Sequence, residues 1–401
     1  MSSRRQNSRF LRALRPAFLG TVPLIFWAFW QGRVHSHETL TTTVLFDREI
    51  VRILNSHCVM CHFQNGPSFP LETYDQTWVR ARKIRAEVIA RHMPPWSAFP
   101  GYGRFANDNS LTLRETQFVV SWVEGSGPRN AGRAFTNIAD PSAPRPKEIR
   151  AEADFDRWHL GEPDLTRQLP ANTIEAQSGD SIQRSTIDLG LSSGRFLRGF
   201  EYRPAERSAV RAAFFTIQET GQWVGSWTPW YGYTSLSKAA AWRLPAGSHL
   251  VAEIHYRGAK ERVLERGTVG LFFAKESTAD AVSDLVLEAK SAAPVATEKQ
   301  KFRATTRLAG DIYALALRPE VFPGAESLEV SARKPDGTTK VMLFAKNLQP
   351  DWPTPYIFKT PILLSKGTEL SVVAYYSKTE STAQSTGVRL TISSVPARGR
   401  L

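Results

Sequence analysis

The sequence predicts a multidomain chain in which a small all-α unit is followed by two all-β sandwiches. Three observations carry this reading. Up to about residue 125, apolar residues recur at helical spacing. Between about 128 and 150 the composition shifts to Pro, Ala, Arg and Ser ("GPRNAGRAF" and "DPSAPRPKE"), as in a linker. From about 155 onward short runs alternate apolar and polar residues between turn signals, and no helical pattern returns. A chain of 401 residues has room for two or three such cores, and its 11 Trp and 22 Phe can fill them.

The N-terminus is set apart by its charge. Six arginines (Arg4, Arg5, Arg9, Arg12, Arg15 and Arg33) lie in the first 36 residues, which contain no acid. Five of them precede the 14-residue apolar run Ala17 to Trp30, and Val34 and Ser36 then stand at the small-residue positions of a cleavage site. This is the layout of a secretory signal peptide over residues 1–36, the alternative being an uncleaved anchor. It predicts an exported, periplasmic chain, membrane-attached in the second case. Without these arginines the net charge of +13 falls to about +7, spread with no long basic run. Nucleic acid is therefore not an expected partner.

The all-α unit is expected over residues 40–130 and the linker over 131–152. A first helix is predicted near Asp47 to Asn55, with Ile50, Val51, Ile53 and Leu54 as one apolar stripe. A second is predicted from about Tyr74 to His92, with Trp78, Ile84, Val88 and Ile89 inward and Arg80, Arg82, Lys83 and Arg85 outward. That basic face suits an acidic partner, or is simply solvated. A third begins at Thr112, where Glu115 completes a capping box, and stops at Gly125.

The only two cysteines, Cys58 and Cys61, follow the first helix in the run Cys58-Val59-Met60-Cys61-His62. A zinc site needs four ligands, and there is no second cluster to supply them. A thioredoxin-like pair would follow a strand rather than a helix. CxxC followed at once by His is instead the signature of c-type haem attachment. The spacing lets each thiol add to a haem vinyl group while His62 presents imidazole to the iron. The sixth ligand is expected from Met93 in "RHMPPWSAFPGYG", because two prolines after it make a stiff, extended loop. Met1 and Met342 are remote and Met60 lies inside the attachment turn, whereas the adjacent His92 is an alternative ligand.

Beyond the linker, residues 153–295 and 296–401 are expected to form the two sandwiches, with Pro-Asp-Gly at 335–337 and Pro-Ala-Gly at 245–247 as turns. The aromatic stretch "QWVGSWTPWYGY" (Trp223, Trp227, Trp230, Tyr231 and Tyr233) reads either as an interaction loop or as a buried cluster.

The segments "CVMCH", "GPSFPLETYD", "RHMPPWSAFPGYGRFANDNSLT" and "WVEGSGP" resemble the cytochrome c module of bacterial proteins that also carry a copper type II, ascorbate-dependent monooxygenase region. "WHLGEPDL", "LPAGSHLVAEIHYRG" and "VGLFFAKE" are similar to that second region, itself similar to peptidylglycine hydroxylating monooxygenase and dopamine β-monooxygenase. The resemblance covers about residues 45–385 and weakens toward the C-terminus. It implies two jelly-roll sandwiches, each holding one copper.

The ligands that the resemblance implies are mostly missing. His255, in "AEIHYRG", stands where one histidine of the first copper is expected, but Arg211 and Ala212 replace the His-His pair. Ala314 and Ala316 replace the His-x-His of the second copper, and no Met follows Met342. A guanidinium is not a donor ligand and repels a cation. His249 shares a strand with His255, so a two-His site is the remaining alternative. The expected function is that of an exported monohaem c-type cytochrome in electron transfer, with haem c as its one cofactor. The degenerate β region then serves as a docking or binding module. A copper monooxygenase with atypical ligands and a binding subunit of a larger membrane-associated redox assembly are the competing expectations.

Overall fold

The computed structural model describes residues 42–130, 157–236, 240–274, 280–291, 300–321, 324–348, 354–376 and 386–398. The expected signal peptide and linker lie outside the described residues. Strands dominate, in several sandwich-like sheets, and the helices gather before residue 130.

A π-helical turn, Phe46–Ile50, leads into α1 (Val51–His57). Phe46, Ile50, Ile53 and Leu54 are buried, as the apolar stripe requires. The expected second helix is two: α2 (Tyr74–Trp78), capped by a Thr73–Gln76 box, and α3 (Ala81–Ile89). The break has a local cause. The Arg80 side chain donates to the Gln76 carbonyl at 3.1 Å, and Arg80 N–H bonds back only three residues to Thr77. Helix α4 (Leu113–Glu124) has its N-cap at Thr112, its box at Glu115 and its stop at Gly125, all as expected. Trp122 is the centre of this small core and meets Phe46, Tyr74 and Trp78. Trp78 packs inward on Trp122 with part of its ring exposed, whereas Ile89 is exposed because it lies on the wall of a cavity.

The first sandwich is built from β1 (Leu165–Gln168), β2 (Asn172–Ile174), β3 (Ser181–Asp188), β4 (Arg195–Arg203), β5 (Val210–Ile217), β6 (Trp223–Trp227), β7 (Tyr233–Ser235), β8 (Ala240–Leu244), β9 (His249–Tyr256), β10 (Val263–Glu265), β11 (Thr268–Phe273) and β12 (Asp280–Ala281). One sheet runs β1-β11-β4-β8-β12 with β7 beside β4, and the facing sheet runs β3-β9-β5-β6. Strand β9 shows why: Leu250, Ala252, Ile254 and Tyr256 alternate into the core while His249, Val251, Glu253 and His255 point away. Trp223 and Trp227 are buried in this core, so they form a buried cluster and not an exposed loop.

The second sandwich contains β13 (Ser283–Ser291), β14 (Gln300–Arg307), β15 (Ile312–Val321), β16 (Ala325–Arg333), β17 (Thr339–Lys346), β18 (Tyr356–Leu364), β19 (Glu369–Tyr376) and β20 (Thr386–Pro396). Its sheets run β13-β20-β15-β18 and β14-β19-β16-β17, and the Pro-Asp-Gly turn joins β16 to β17. Strand β13 pairs with β20 along its whole length. The break between sandwiches therefore falls before Ser283, not at 295, because strand partnership rather than composition decides membership.

One connection crosses between the helical module and the second sandwich. Residues 97–106 lie against the outermost strands of both its sheets. Ala98 bridges to Ala345 on β17, with Phe99 N–H donating to the Phe344 carbonyl and Lys346 N–H to the Ser97 carbonyl. Phe105 bridges to Phe358 on β18, with Ala106 N–H donating to the Ile357 carbonyl and Lys359 N–H to the Arg104 carbonyl. Trp96 and Phe105 are buried in the second sandwich's core. Edge strands expose unpaired backbone groups, and this strap satisfies some on each sheet.

Candidate functional site

Cys58, Cys61 and His62 form the turn that ends α1. Cys58 N–H closes the helix on the Leu54 carbonyl, and Cys61 and His62 N–H both donate to the Cys58 carbonyl at 3.0 and 2.9 Å. The two thiols are unlinked and half-buried. Surrounding protein pushes Cys58 up to about 12, helped by the neighbouring Cys61 and Glu115, so the thiol is neutral. Burial pushes Cys61 up to about 11, with Arg257 and Arg207 opposing it.

His62 is held by its own turn. Its Nδ1 lies 2.9 Å from the Phe69 carbonyl, which fixes the tautomer with the proton on Nδ1 and leaves Nε2 as a lone-pair donor. Phe69 also packs on the ring at 4.7 Å. Burial first, and then Arg257 and Arg80, lower the His62 pKa, while the Phe69 bond opposes them. The imidazole is therefore neutral at neutral pH, the form a metal requires.

Met93 lies on the wall of a cavity of about 670 Å³, together with Val88, Ile89, Trp96, Phe99, Tyr102, Leu111 and Leu113. The volume falls within the ~300–1,000 Å³ usual for small-molecule sites. Five of the twelve exposed large apolar side chains of the described residues (Ile89, Met93, Phe99, Tyr102 and Leu113) line it. An apolar wall left this open calls for an apolar occupant. His92, the alternative ligand, is exposed, bonds Glu87 at 3.2 Å through Nδ1 and is not on the wall. Cys58, Cys61 and His62 do not line the cavity themselves. Glu115 connects the two places: its carboxylate acts on Cys58, and Thr112 and Thr116 beside it are on the wall.

The chemistry of the Cys58, Cys61 and His62 turn fits a covalently held haem: two thiols stand one turn apart and the imidazole has its far nitrogen engaged, while the Met93 thioether stands apart on the cavity wall. The residues that brace the turn carry no local signal in the sequence. His57 Nδ1 lies 3.2 Å from the Asn109 carbonyl and its Nε2 3.3 Å from Glu115, tying α1 to the start of α4. Arg207, from the first sandwich, reaches the Met60 carbonyl at 3.5 Å and lies over the Phe63 ring at 5.8 Å.

The expected copper positions come out differently. Ala212 on β5 is the direct cross-strand partner of His255 on β9, and Arg211 sits in the bulge beside it. Arg211 is ion-paired to Asp180. His255 bonds Glu253 at 2.9 Å and takes the edge of Phe214. His249 bonds Glu219 at 2.9 Å at the other end of the strand. Six strand residues separate these imidazoles by ~20 Å, so they cannot share an ion. Ala314 and Ala316 are buried in apolar cores. Among the described residues, no three His, Cys, Asp or Glu side chains gather as a metal group. No helix among them is long and apolar enough to cross a membrane.

No family model and no curated protein matches the chain. Among solved structures it is similar to the major capsid protein P2 from Bacteriophage PM2, at 9% identity over 58% of this chain and 100% of that one, with a TM-score of 0.27. It is also similar to PNGF-II, at 9% over 58% and 65% with a TM-score of 0.24. A cupin 2 conserved barrel domain protein from Leptotrichia buccalis follows, at 10% over 58% and 92% with a TM-score of 0.15. Likenesses this slight carry no argument about fold or function.

Proposed function

We propose that the chain is an exported, monohaem c-type cytochrome that passes single electrons, with a β region that supports the haem-binding module. The observation that carries the reading is His62, whose Nδ1 is engaged by the Phe69 carbonyl one residue beyond a pair of unlinked thiols. Cys58 and Cys61 would hold the haem covalently, and His62 Nε2 and the Met93 sulfur would bind its iron. Haem supplies a one-electron iron couple that no side chain can provide.

The protein's own residues do the rest. Val88, Trp96 and Leu111 give the cavity buried apolar wall on which a flat apolar group would pack. Arg80, Arg207 and Arg257 act on this end of the module, and their positive charge favours the electron-rich state of a redox group placed there. On α3, Arg85 is taken by Glu124 at 2.5 Å, which leaves Arg82 and Lys83 as the exposed cations for an acidic redox partner. Such a partner could belong to a membrane-associated assembly.

The β region is read as a support and docking module, not a copper oxygenase. The carrying residues are Ala212 opposite His255 and the apolar burial of Ala314 and Ala316. The test is metal content and visible spectroscopy on the chain matured in a host that attaches haem. One covalent haem per chain and no copper are expected. Stoichiometric copper with ascorbate-driven oxygen uptake would overturn the reading, as would a chain that emerges without haem.

A further inference from the structure

We infer that the second β-sandwich, through the strap at residues 97–106, sets the position of Met93, so that Trp96, Phe105 and Asn107 are positioning residues for the distal ligand. The inference rests on the haem reading and deepens it. Met93 is only three residues from Trp96, a span of at most ~10 Å, so whatever fixes Trp96 limits where the Met93 sulfur can go.

The helical module itself supplies little of that fixing. From Pro94 to Asn107 the chain has no helix, and its partners come from far along the sequence. Four backbone hydrogen bonds tie Ser97, Phe99, Arg104 and Ala106 to β17 and β18. Trp96 packs on Tyr356 at 5.2 Å, and Phe105 packs on Tyr356 and Phe358 at 5.2 and 5.4 Å. Before Met93 the same anchoring continues, since the Asn347 amide donates to the Ala90 carbonyl at 3.2 Å. The strap therefore grips the sandwich on both sides of the methionine.

Asn107 closes the far end and is 3% exposed. Its amide donates to the Pro355 carbonyl at 2.6 Å, and its side-chain oxygen accepts from Ile357 N–H at 3.2 Å. Its backbone carbonyl accepts from Trp230 Nε1 of the first sandwich at 3.1 Å. One residue thus joins the strap to both sandwiches. Replacing this buried amide leaves two backbone groups, the Pro355 carbonyl and the Ile357 N–H, without their partner, which makes it a sensitive point. A β region kept without copper ligands has, on this reading, a task toward the haem: it holds one wall of the cavity and the methionine that stands on it.

The test uses the full chain carrying its haem and free imidazole as a competitor for the distal position. Asn107→Ala and Phe105→Ala are expected to retain covalent haem, to lower the midpoint potential in the same direction as Met93→Ala, and to bind imidazole about tenfold more tightly, equivalent to ~1.4 kcal/mol. Phe105→Leu, which keeps an apolar plug, is expected to restore most of the loss. Trp230→Phe removes one donor to the strap and keeps a ring, so it covers the case in which the alanine variants fail to fold. Should Met93→Ala shift spectrum and potential while the strap variants match the parent in both and in imidazole affinity, positioning by the sandwich is overturned and the ligand assignment survives. Should Met93→Ala itself change nothing, the ligand assignment falls and the inference with it.

Discussion

Gly103→Ala is expected to displace the strap, whereas Gly101→Ala, two residues earlier, leaves it in place. Both glycines have left-handed backbone, at φ of 83° and 90°. An alanine at either position costs about 1–2 kcal/mol in backbone conformation alone. What the new methyl meets differs. At 101 nothing lies within 4 Å, but at 103 a Cβ would fall 2.5 Å from the Met342 carbonyl oxygen and closer still to the Phe105 ring. Met342 is buried in the second core, so its carbonyl cannot withdraw and the strap must. Overpacking of this kind costs about 1–3 kcal/mol more. The expected losses are therefore ~2–5 kcal/mol for Gly103→Ala and ~1–2 kcal/mol for Gly101→Ala. Guanidinium unfolding of the full chain, followed by tryptophan fluorescence, reads them. A chain of several cores can unfold in more than one step, and the difference belongs in the step that melts the second sandwich. Equal destabilisation by the two alanines would refute the docking argument.

Three further outcomes are expected. Thr112→Ala removes the Oγ1 that accepts from Glu115 N–H at 3.2 Å and donates to its carboxylate at 2.7 Å, and should cost about 1–2 kcal/mol by thermal or chemical denaturation. His92→Ala should leave the oxidised spectrum of the haem-loaded chain unchanged, since His92 lies off the cavity wall; a changed spectrum would move the ligand by one residue. The backbone N–H of Gly258 donates to Asp180 at 2.9 Å and, with Arg211, holds its carboxyl below the usual 3.8, against some burial. A carboxylate depressed in the folded state stabilises above its unfolded value and loses that contribution as pH falls through the folded one. Asp180→Asn should thus be the less stable protein at neutral pH, with the gap closing as pH falls below about 4. A gap that stays constant with pH would show that the pair contributes nothing.

What could be read in the sequence was what is encoded within a few residues. Thr112 and Glu115 cap α4 because both partners of the box sit within one turn, and the Cys58 to His62 turn is equally local. The alternation of β9 placed His255 and His249 on one face, whereas the position of Ala212 beside His255 comes from the pairing of β5 with β9. The split of α2 from α3 escaped, because it depends on one arginine side chain turning back on Gln76. The sandwich boundary escaped for a different reason. Strand β13 alternates like any other, and only β20, about a hundred residues later, decides which sheet owns it. The strap reads as a stiff loop after Met93, yet nothing in "WSAFPGYGRFAN" says that its partners lie near residues 345 and 357.

The placement of β20 governs when the strap can dock. It lies inside its sheet, between β13 and β15, and its residue Val395 reaches the first sandwich's core. The sheet that offers β18 to Phe105 is therefore incomplete until Thr386–Pro396 has been made. A polypeptide emerging from its N-terminus exposes Cys58 and Cys61 more than three hundred residues before that. The Cys58 to His62 turn is thus made while the strap's partner strands are still missing, and the pairing of residues 97–106 with β17 and β18 comes late. If the chain takes up haem as proposed, order of synthesis alone leaves an interval for attachment before the strap is anchored.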